Sequence, residues 1–199
     1  MTRKILLLAA ALLALPAAAK ERADHYEAMT YNIRLDIASD GDNAWPHRRS
    51  ALTGLVAYYA PDLVGMQEVL LNQKQAVETD LPGYQFVGGA RDDGKDKGEF
   101  SPPRFRRDPF ALLGSGTFWL SPTPDAPSKG WDAALPRVAS WARLKDKASH
   151  HMLLVVNTHF DHIGTTARIE SAKQIRRWIG DNRKAGETVV LMGDFNSPA

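Results

Sequence analysis

Leu63-Val64-Gly65-Met66-Gln67-Glu68-Val69 is the stretch on which the fold turns. Pro61 ends the element before it, and the short apolar run from Leu63 predicts a buried strand through Glu68. An amide and a carboxylate stand at its end, where burial is costly unless they have work to do. Three other segments have the same form: Met29-Thr30-Tyr31-Asn32-Ile33-Arg34, Val156-Asn157-Thr158-His159-Phe160-Asp161-His162 and Met192-Gly193-Asp194-Phe195-Asn196. Each is a predicted strand that closes in residues able to meet a metal ion or a phosphate. Strand ends in layered sheets converge on one edge, where ligands bind.

Working outward, Ala28 to Arg34 predicts a strand, and Leu52, Leu55, Val56 and Tyr59 fall on one helical face. A short helix over Asn72 to Leu81 and a strand over Tyr84 to Gly88 follow. Gly89 to Asp108 is polar and glycine-rich, which predicts a mobile loop. Strands are expected at Gly116–Leu120, Val138–Leu144 and Met152–Thr158. A helix from Thr166 to Asn182 carries Ile169, Ala172, Ile175 and Ile179 on one side, with Gly186 as its stop and Val189 to Met192 as the last strand. Strands interleaved with helices predict a mixed α/β layered domain, although a doubly wound parallel fold fits the pattern almost as well.

The chain has 199 residues and 44% hydrophobic content, enough for one globular domain with its own core. Residues 1–19 are set apart. Arg3 and Lys4 precede an apolar run, Ile5 to Leu15, that is too short to span a bilayer. Pro16 and Ala17-Ala18-Ala19 follow, as in a secretory signal peptide cleaved after Ala19. No cysteine follows the run, which excludes a lipoprotein anchor. Arg3 and Lys4 are the only charges in this segment, so the formal net charge of +2 becomes 0 in the remainder. A global basic field that would attract DNA is therefore absent, and Arg104, Arg106 and Arg107 read as a solvated surface strip. With no cysteine in the chain, any metal is held by oxygen or nitrogen ligands. Carboxylates and amides favour hard cations such as Mg²⁺, Mn²⁺ or Ca²⁺.

In order along the chain, the four strand-end segments resemble the signature blocks of the endonuclease/exonuclease/phosphatase superfamily, the deoxyribonuclease I-like proteins. Gly114 to Ser121 and Arg137 to Arg143 resemble blocks of a secreted bacterial branch of it. The resemblance implies a four-layer α/β/β/α sandwich and a Mg²⁺-dependent phosphoesterase. By position, Glu68 matches the carboxylate that binds the metal, and Asn32 the amide at the metal and phosphate site. Asp194 matches the residue that orients or deprotonates the attacking water, Asn196 its partner, and His159 a histidine at the phosphate or leaving group. Arg137 is a candidate phosphate contact, with a surface salt bridge nearly as good a reading. Asp161 and His162 flank the site, and loop polarity explains them equally well. Taken singly, Glu68 reads as a strand-end surface carboxylate, Asn32 as a turn residue and His159 as a structural histidine. The chemistry supports the set: phosphate-ester hydrolysis needs a Lewis acid, an activated water and donors that neutralise developing charge.

The sequence departs from the family pattern in two places. The family continues past Gly193-Asp194-Phe195-Asn196 to a segment with an aspartate and a histidine, so the domain over residues 20–199 is expected to be incomplete at its C-terminus, with an open sheet edge. Where the family places an apolar–aromatic–Tyr-Arg strand, Ser101 to Phe110 carries Pro103, Arg104, Phe105 and Pro109; any strand there is expected to be short or at an edge. The resulting expectation is a periplasmic or secreted, monomeric enzyme without a stable membrane anchor. Its substrate is a phosphate ester: a nucleic acid, a lipid head group or a small molecule. The competing readings are an inactive fragment or pseudoenzyme of that family, and a secreted binding module.

Overall fold

The computed structural model describes residues 25–197; the expected signal peptide lies outside them. Among the described residues the first sheet contains β1 (Ala28–Asn32), β2 (Leu63–Gln67), β3 (Tyr84–Phe86) and β4 (Pro103–Arg106). Their spatial order is β1-β2-β4-β3, with β1 and β2 parallel and the remaining pairs antiparallel. The second sheet runs in chain order through β5 (Phe110–Trp119), β6 (Val138–Asp146), β7 (Met152–His159) and β8 (Thr188–Asp194). Its last pair, β7 and β8, is parallel, which requires a crossover, and α3 (Thr165–Asn182) supplies it. Helices α1 (Trp45–Tyr59) and α2 (Leu71–Asp80) flank β2 in the chain. No helix among the described residues is long and apolar enough to cross a membrane.

Strand alternation distributes the core. On β2, Val64 and Met66 pack with Leu52 and Val56 of α1 and Val77 of α2. Leu63, on the other face, joins Phe105, Leu153, Val155 and Met192 in a cluster made by both sheets. On β7, Leu153 and Val155 enter that shared cluster, whereas Leu154 and Val156 pack with Phe118 and with Ile175 of α3. Period-two side-chain geometry thus sends successive residues of one strand to different cores, and each fully buried Leu, Val or Ile contributes about 1.5–3 kcal/mol. Among the described residues the result is an α/β fold of two sheets and three α-helices.

One polar link crosses the shared core. Asn157 on β7 is fully buried; its Oδ1 accepts from Gln67 Nε2 at 2.8 Å, and its Nδ2 donates to Met66 O at 2.7 Å and Pro102 O at 3.2 Å. Gly65 makes room for it: a Cβ there would stand 2.4 Å from Asn157 Oδ1.

The structure changes several local expectations. Helix α1 starts earlier than the apolar pattern suggested, with Pro46 in its first turn, where a missing N–H costs nothing. Its buried stripe is Trp45, Leu52, Thr53 and Val56, while Leu55 and Tyr59 are exposed. The helix is turned so that Arg49 reaches Asp80 of α2 in a bidentate pair, 2.8 and 2.6 Å. In α3 only Ile175 of the expected apolar set is buried, and Ile169 is exposed.

The stretch from Gly89 to Asp108 is not simply a mobile loop. Its first half folds back on itself, with Asp92 N donating to Lys97 O and Asp93 Oδ1 accepting from the Lys95 and Lys97 amides. Its second half contains β4, which lies between β2 and β3 and not at an edge. Pro103 is tolerated because it is the first residue of the strand, where the missing donor falls at the end of the ladder. Phe105, in the place of the family's tyrosine, is core.

The surface strip of arginines is also split. Arg106 is exposed, but Arg104, in the body of β4, is 1% exposed and faces Phe86 with 5.8 Å between guanidinium carbon and ring centroid. None of its three guanidinium nitrogens meets a hydrogen-bond acceptor among the described residues. Burial pushes its pKa down to about 10, against the opposing field of Glu78. An uncompensated buried cation costs more than a hydrophobic side chain of similar size. Arg104→Met is therefore expected to stabilise the protein by about 1–4 kcal/mol; a urea midpoint that falls in the variant would contradict this account of β4.

Candidate active site

The site is assembled by the two parallel strand pairs. Register places Asn32 opposite Gln67 across β1–β2, and His159 opposite Asp194 across β7–β8. The sheets meet at these ends, where Thr30 Oγ1 donates to Gly193 O at 3.3 Å. Asn32 completes the junction: its Nδ2 donates to Glu68 Oε1 at 2.8 Å and to Asp194 Oδ2 at 3.0 Å. One amide thus bridges two carboxylates supplied by different sheets. Glu68 Oε2 takes a further bond from the Leu35 amide at 3.1 Å.

Three non-glycine residues here have left-handed backbone: Arg34 (φ 55), Glu68 (φ 61) and Asn196 (φ 45). Each turns the chain immediately beyond a strand end, at a cost of about 1–2 kcal/mol. The cost is met by local bonds. Arg48 Nη2 and Gln73 Nε2 both donate to Arg34 O, at 3.1 and 2.8 Å, and Asn196 N donates to Asp194 Oδ1 at 3.0 Å.

Hydrogen-bond logic fixes the protonation of His159. Asn196 Nδ2 donates to Phe160 O at 2.9 Å, which sets the amide's orientation. The same Nδ2 lies 3.1 Å from His159 Nε2, so Nε2 is the acceptor and the proton resides on Nδ1. That Nδ1 faces Glu99 Oε2 at 3.8 Å, too long for a direct hydrogen bond. Glu99 is itself held by Arg91 Nη1 at 2.9 Å.

On the adjoining wall, Arg137 is buried, with Nε 3.3 Å from Asp161 Oδ2 and Nη2 3.0 Å from His162 Nδ1. Asp161 Oδ1 accepts from the amides of Ile163 and Gly164 at 3.0 and 2.8 Å. Burial opposes the charge on Asp161, but these amides and the Arg137 guanidinium hold its carboxyl well below the usual carboxylate range. Burial likewise pushes Glu99 and Asp194 up. Arg91 and Arg137 outweigh it for Glu99; Asn32, the Asn196 amide and Arg137 do so for Asp194, and both acids are held below their ordinary values. Burial lowers the pKa of Arg137.

Glu68, Arg137, His159, Asp194 and Asn196 all border one cleft of about 370 Å³, together with Glu99 and His162. Asn32 lines the adjoining depression with Asp194 and Asn196. The six residues singled out in the sequence are therefore brought together. Glu99 was hidden in a stretch that reads as polar loop, and its partner Arg91 lies eight positions away on the other limb of that loop. A charge pair flanking a glycine-rich turn was the available signal. Among the described residues no group of three or more acidic or histidine side chains could hold a metal ion. The oxygen donors at hand are the Glu68 carboxylate and Asn32 Oδ1, which accepts from Arg34 N at 2.9 Å and keeps a second lone pair. So sparse a set of hard donors fits a hydrated divalent cation that retains most of its waters.

A family model for the endonuclease/exonuclease/phosphatase family matches residues 29–199. The chain belongs to that family. Among solved structures, the mannosyl-6-phosphatase of Bacteroides thetaiotaomicron is 41% identical, with a TM-score of 0.84 over 88% of this chain and 67% of that one. An endonuclease/exonuclease/phosphatase from Bacteroides vulgatus is 44% identical, with a TM-score of 0.83 over 86% of this chain and 66% of that one. TDP2 of D. rerio, solved with a single-stranded DNA product, shares the fold at 21% identity, with a TM-score of 0.66 over 87% of this chain and 62% of that one. An uncharacterised protein of Acanthamoeba polyphaga mimivirus is 26% identical over 77% of this chain and 59% of its own length. The chain thus spans between 59% and 67% of these relatives' lengths. Family membership and these neighbours agree with the α/β fold described above.

Because the Asp161 carboxyl is depressed in the folded state, its contribution to stability is present above the unfolded value, about pH 4, and is lost as pH falls through the folded value. Asp161→Ala strands three backbone amides and a guanidinium. It is expected to cost about 2–4 kcal/mol at pH 7, with the deficit shrinking at pH 2–3. Urea unfolding at the two pH values measures this; an equal deficit at both would show that the charge is not what matters.

Proposed function

We propose that this chain is a Mg²⁺-dependent phosphoesterase in which water attacks phosphorus in the cleft between Glu68 and His159. The observation that carries the proposal is the Asn32 bridge: one amide holds Glu68 and Asp194 in a fixed relation, facing an imidazole of fixed tautomer. Glu68, with Asn32 Oδ1, would hold the cation. When bound, the cation supplies Lewis-acid neutralisation of a phosphate oxygen.

This chain's own groups do the rest. Asp194 is ionised at neutral pH and orients the attacking water; a carboxylate held below its ordinary pKa is a better anchor than a base. The Nδ1–H of His159 is buried and faces the Glu99 carboxylate, which fixes the ring at the wall of the cleft. Arg137 adds a fixed positive charge. As the water oxygen bonds to phosphorus, the bond from phosphorus to the alcohol oxygen breaks; the water gives up one proton and the departing alkoxide gains one, leaving the alcohol and inorganic phosphate. Donors already in place when that charge develops lower the barrier most, because they need not reorganise.

The cleft volume, and the similarity to a mannosyl-6-phosphatase, support a small phosphate ester over a polymer. Residues 1–19, with their basic start, apolar run and Ala-x-Ala end, support action outside the cytoplasm.

With p-nitrophenyl phosphate as substrate and Mg²⁺ present, Glu68→Ala and Asp194→Ala are each expected to lower kcat by about 10²–10³-fold. EDTA should abolish turnover and added Mg²⁺ should restore it. Full activity in both variants would place the chemistry elsewhere.

A further inference from the structure

We propose that His162 and Leu135, at the mouth of the cleft beside Arg137, form a subsite for a hydroxyl-bearing ring on the alcohol that carries the phosphate, and that Asp161 is the residue that positions them. The proposal rests on the phosphoesterase reading for the identity of the ligand, but on separate residues for its geometry.

The cleft is graded in burial. Of its lining residues Arg137 and His159 are buried, whereas Leu135 is 38% exposed and His162 is exposed. The buried wall carries the Arg137 guanidinium, a positive charge suited to a phosphate. Whatever extends outward from that phosphate passes His162 and Leu135.

The form of His162 follows from its partner. Arg137 Nη2 lies 3.0 Å from His162 Nδ1, and a guanidinium can only donate. Nδ1 is therefore the acceptor, and the neutral ring carries its proton on Nε2. The rim thus offers one uncharged donor beside one apolar side chain. That pair matches a ring with hydroxyls on its edge and C–H groups on its face. It does not match a nucleic acid, which requires a track of cations and aromatic stacking platforms; Arg34, the other arginine at the cleft, is already paired with Asp40 at 2.5 Å.

Both rim residues are set by one carboxylate. Asp161 Oδ2 accepts from the Leu135 amide and from Arg137 Nε, each at 3.3 Å. Its Oδ1 accepts from Ile163 and Gly164, the two amides that follow His162. The backbone on each side of the subsite is thereby fastened to a single buried group, which makes Asp161 a positioning residue with no contact of its own to substrate.

The test compares a hexose 6-phosphate with p-nitrophenyl phosphate, which has the same phosphate and no hydroxyl-bearing ring, in wild-type protein, His162→Ala and Asp161→Asn. Because a lost neutral hydrogen bond is worth about tenfold, His162→Ala should lower kcat/KM for the hexose phosphate about tenfold more than for the aryl phosphate, chiefly through KM. Asp161→Asn, which keeps the Oδ1 acceptor, should move the ratio in the same direction. Equal losses on the two esters, or none on either, would overturn the subsite. Calorimetric titration of hexose 6-phosphate and of inorganic phosphate supplies a reading independent of turnover. If no form hydrolyses either ester but His162→Ala still binds the hexose phosphate selectively more weakly, the phosphoesterase reading falls and the subsite stands. If all forms hydrolyse both esters and His162→Ala weakens neither ligand selectively, the subsite falls and the phosphoesterase reading stands.

Discussion

The hydrogen bond between Gln67 and Asn157 is the constraint on which the rest of this structure depends. Hydrophobic packing between two sheets is non-directional and tolerates sliding. A buried amide pair does not, because each unmade bond costs about 1–3 kcal/mol. Gln67 Nε2 also donates to Gly65 O, and Asn157 Nδ2 to Met66 O and Pro102 O. Those bonds are satisfied together only in one register of β2 against β7. One residue beyond Gln67 stands Glu68, and two beyond Asn157 stands His159. Fixing the amide pair therefore fixes the distance across which the carboxylate and the imidazole face each other.

The same logic recurs at the site. Asn32 ties Glu68 to Asp194, Asn196 ties His159 to the backbone after it, and Asp161 ties Arg137 to the loop that leads into α3. Each functional side chain has its orientation set by a hydrogen-bond partner. Asp161, Glu99 and Asp194 are held below their ordinary values although burial works against them, Asp161 by amides and Arg137, Glu99 by neighbouring arginines and Asp194 chiefly by amides. Preorganisation of this kind is what phosphate chemistry asks of a protein, since the developing charge must meet dipoles already aligned.

Much of this was legible in the sequence. The four strand-end segments each read as a strand with polar residues at its close, and all four come together at the convergent edge. The strands β6, β7 and β8 were readable from their apolar runs; only the end of β5 was, and α3 was placed although only Ile175 of its expected face is buried. What escaped reading did so for identifiable reasons. Pro103 and Arg104 argue against an interior strand by local propensity, yet tertiary pairing with Gly65 and Val64 prevails. Leu55 and Tyr59 sit on the apparent apolar face of α1, but Trp45, Leu52 and Val56 are the residues that meet the core of the first sheet. Glu99 carries no periodic signal, and its importance lies only in the three-dimensional approach of Arg91 and His159. Asp161 is one polar loop residue among several in the sequence; only the folded chain brings four donors onto its carboxylate.

The central claim is that the Gln67–Asn157 bond aligns the catalytic edge. A double-mutant cycle on kcat/KM for p-nitrophenyl phosphate, with Gln67→Ala and Asn157→Ala, tests it most directly. If the two amides act as one link, either single change should cost about tenfold or more, and the double variant should lose little beyond the worse single one, a coupling of about 1.4 kcal/mol. Losses that simply multiply would mean that the two residues act independently and that the alignment of Glu68 and His159 is held by something else.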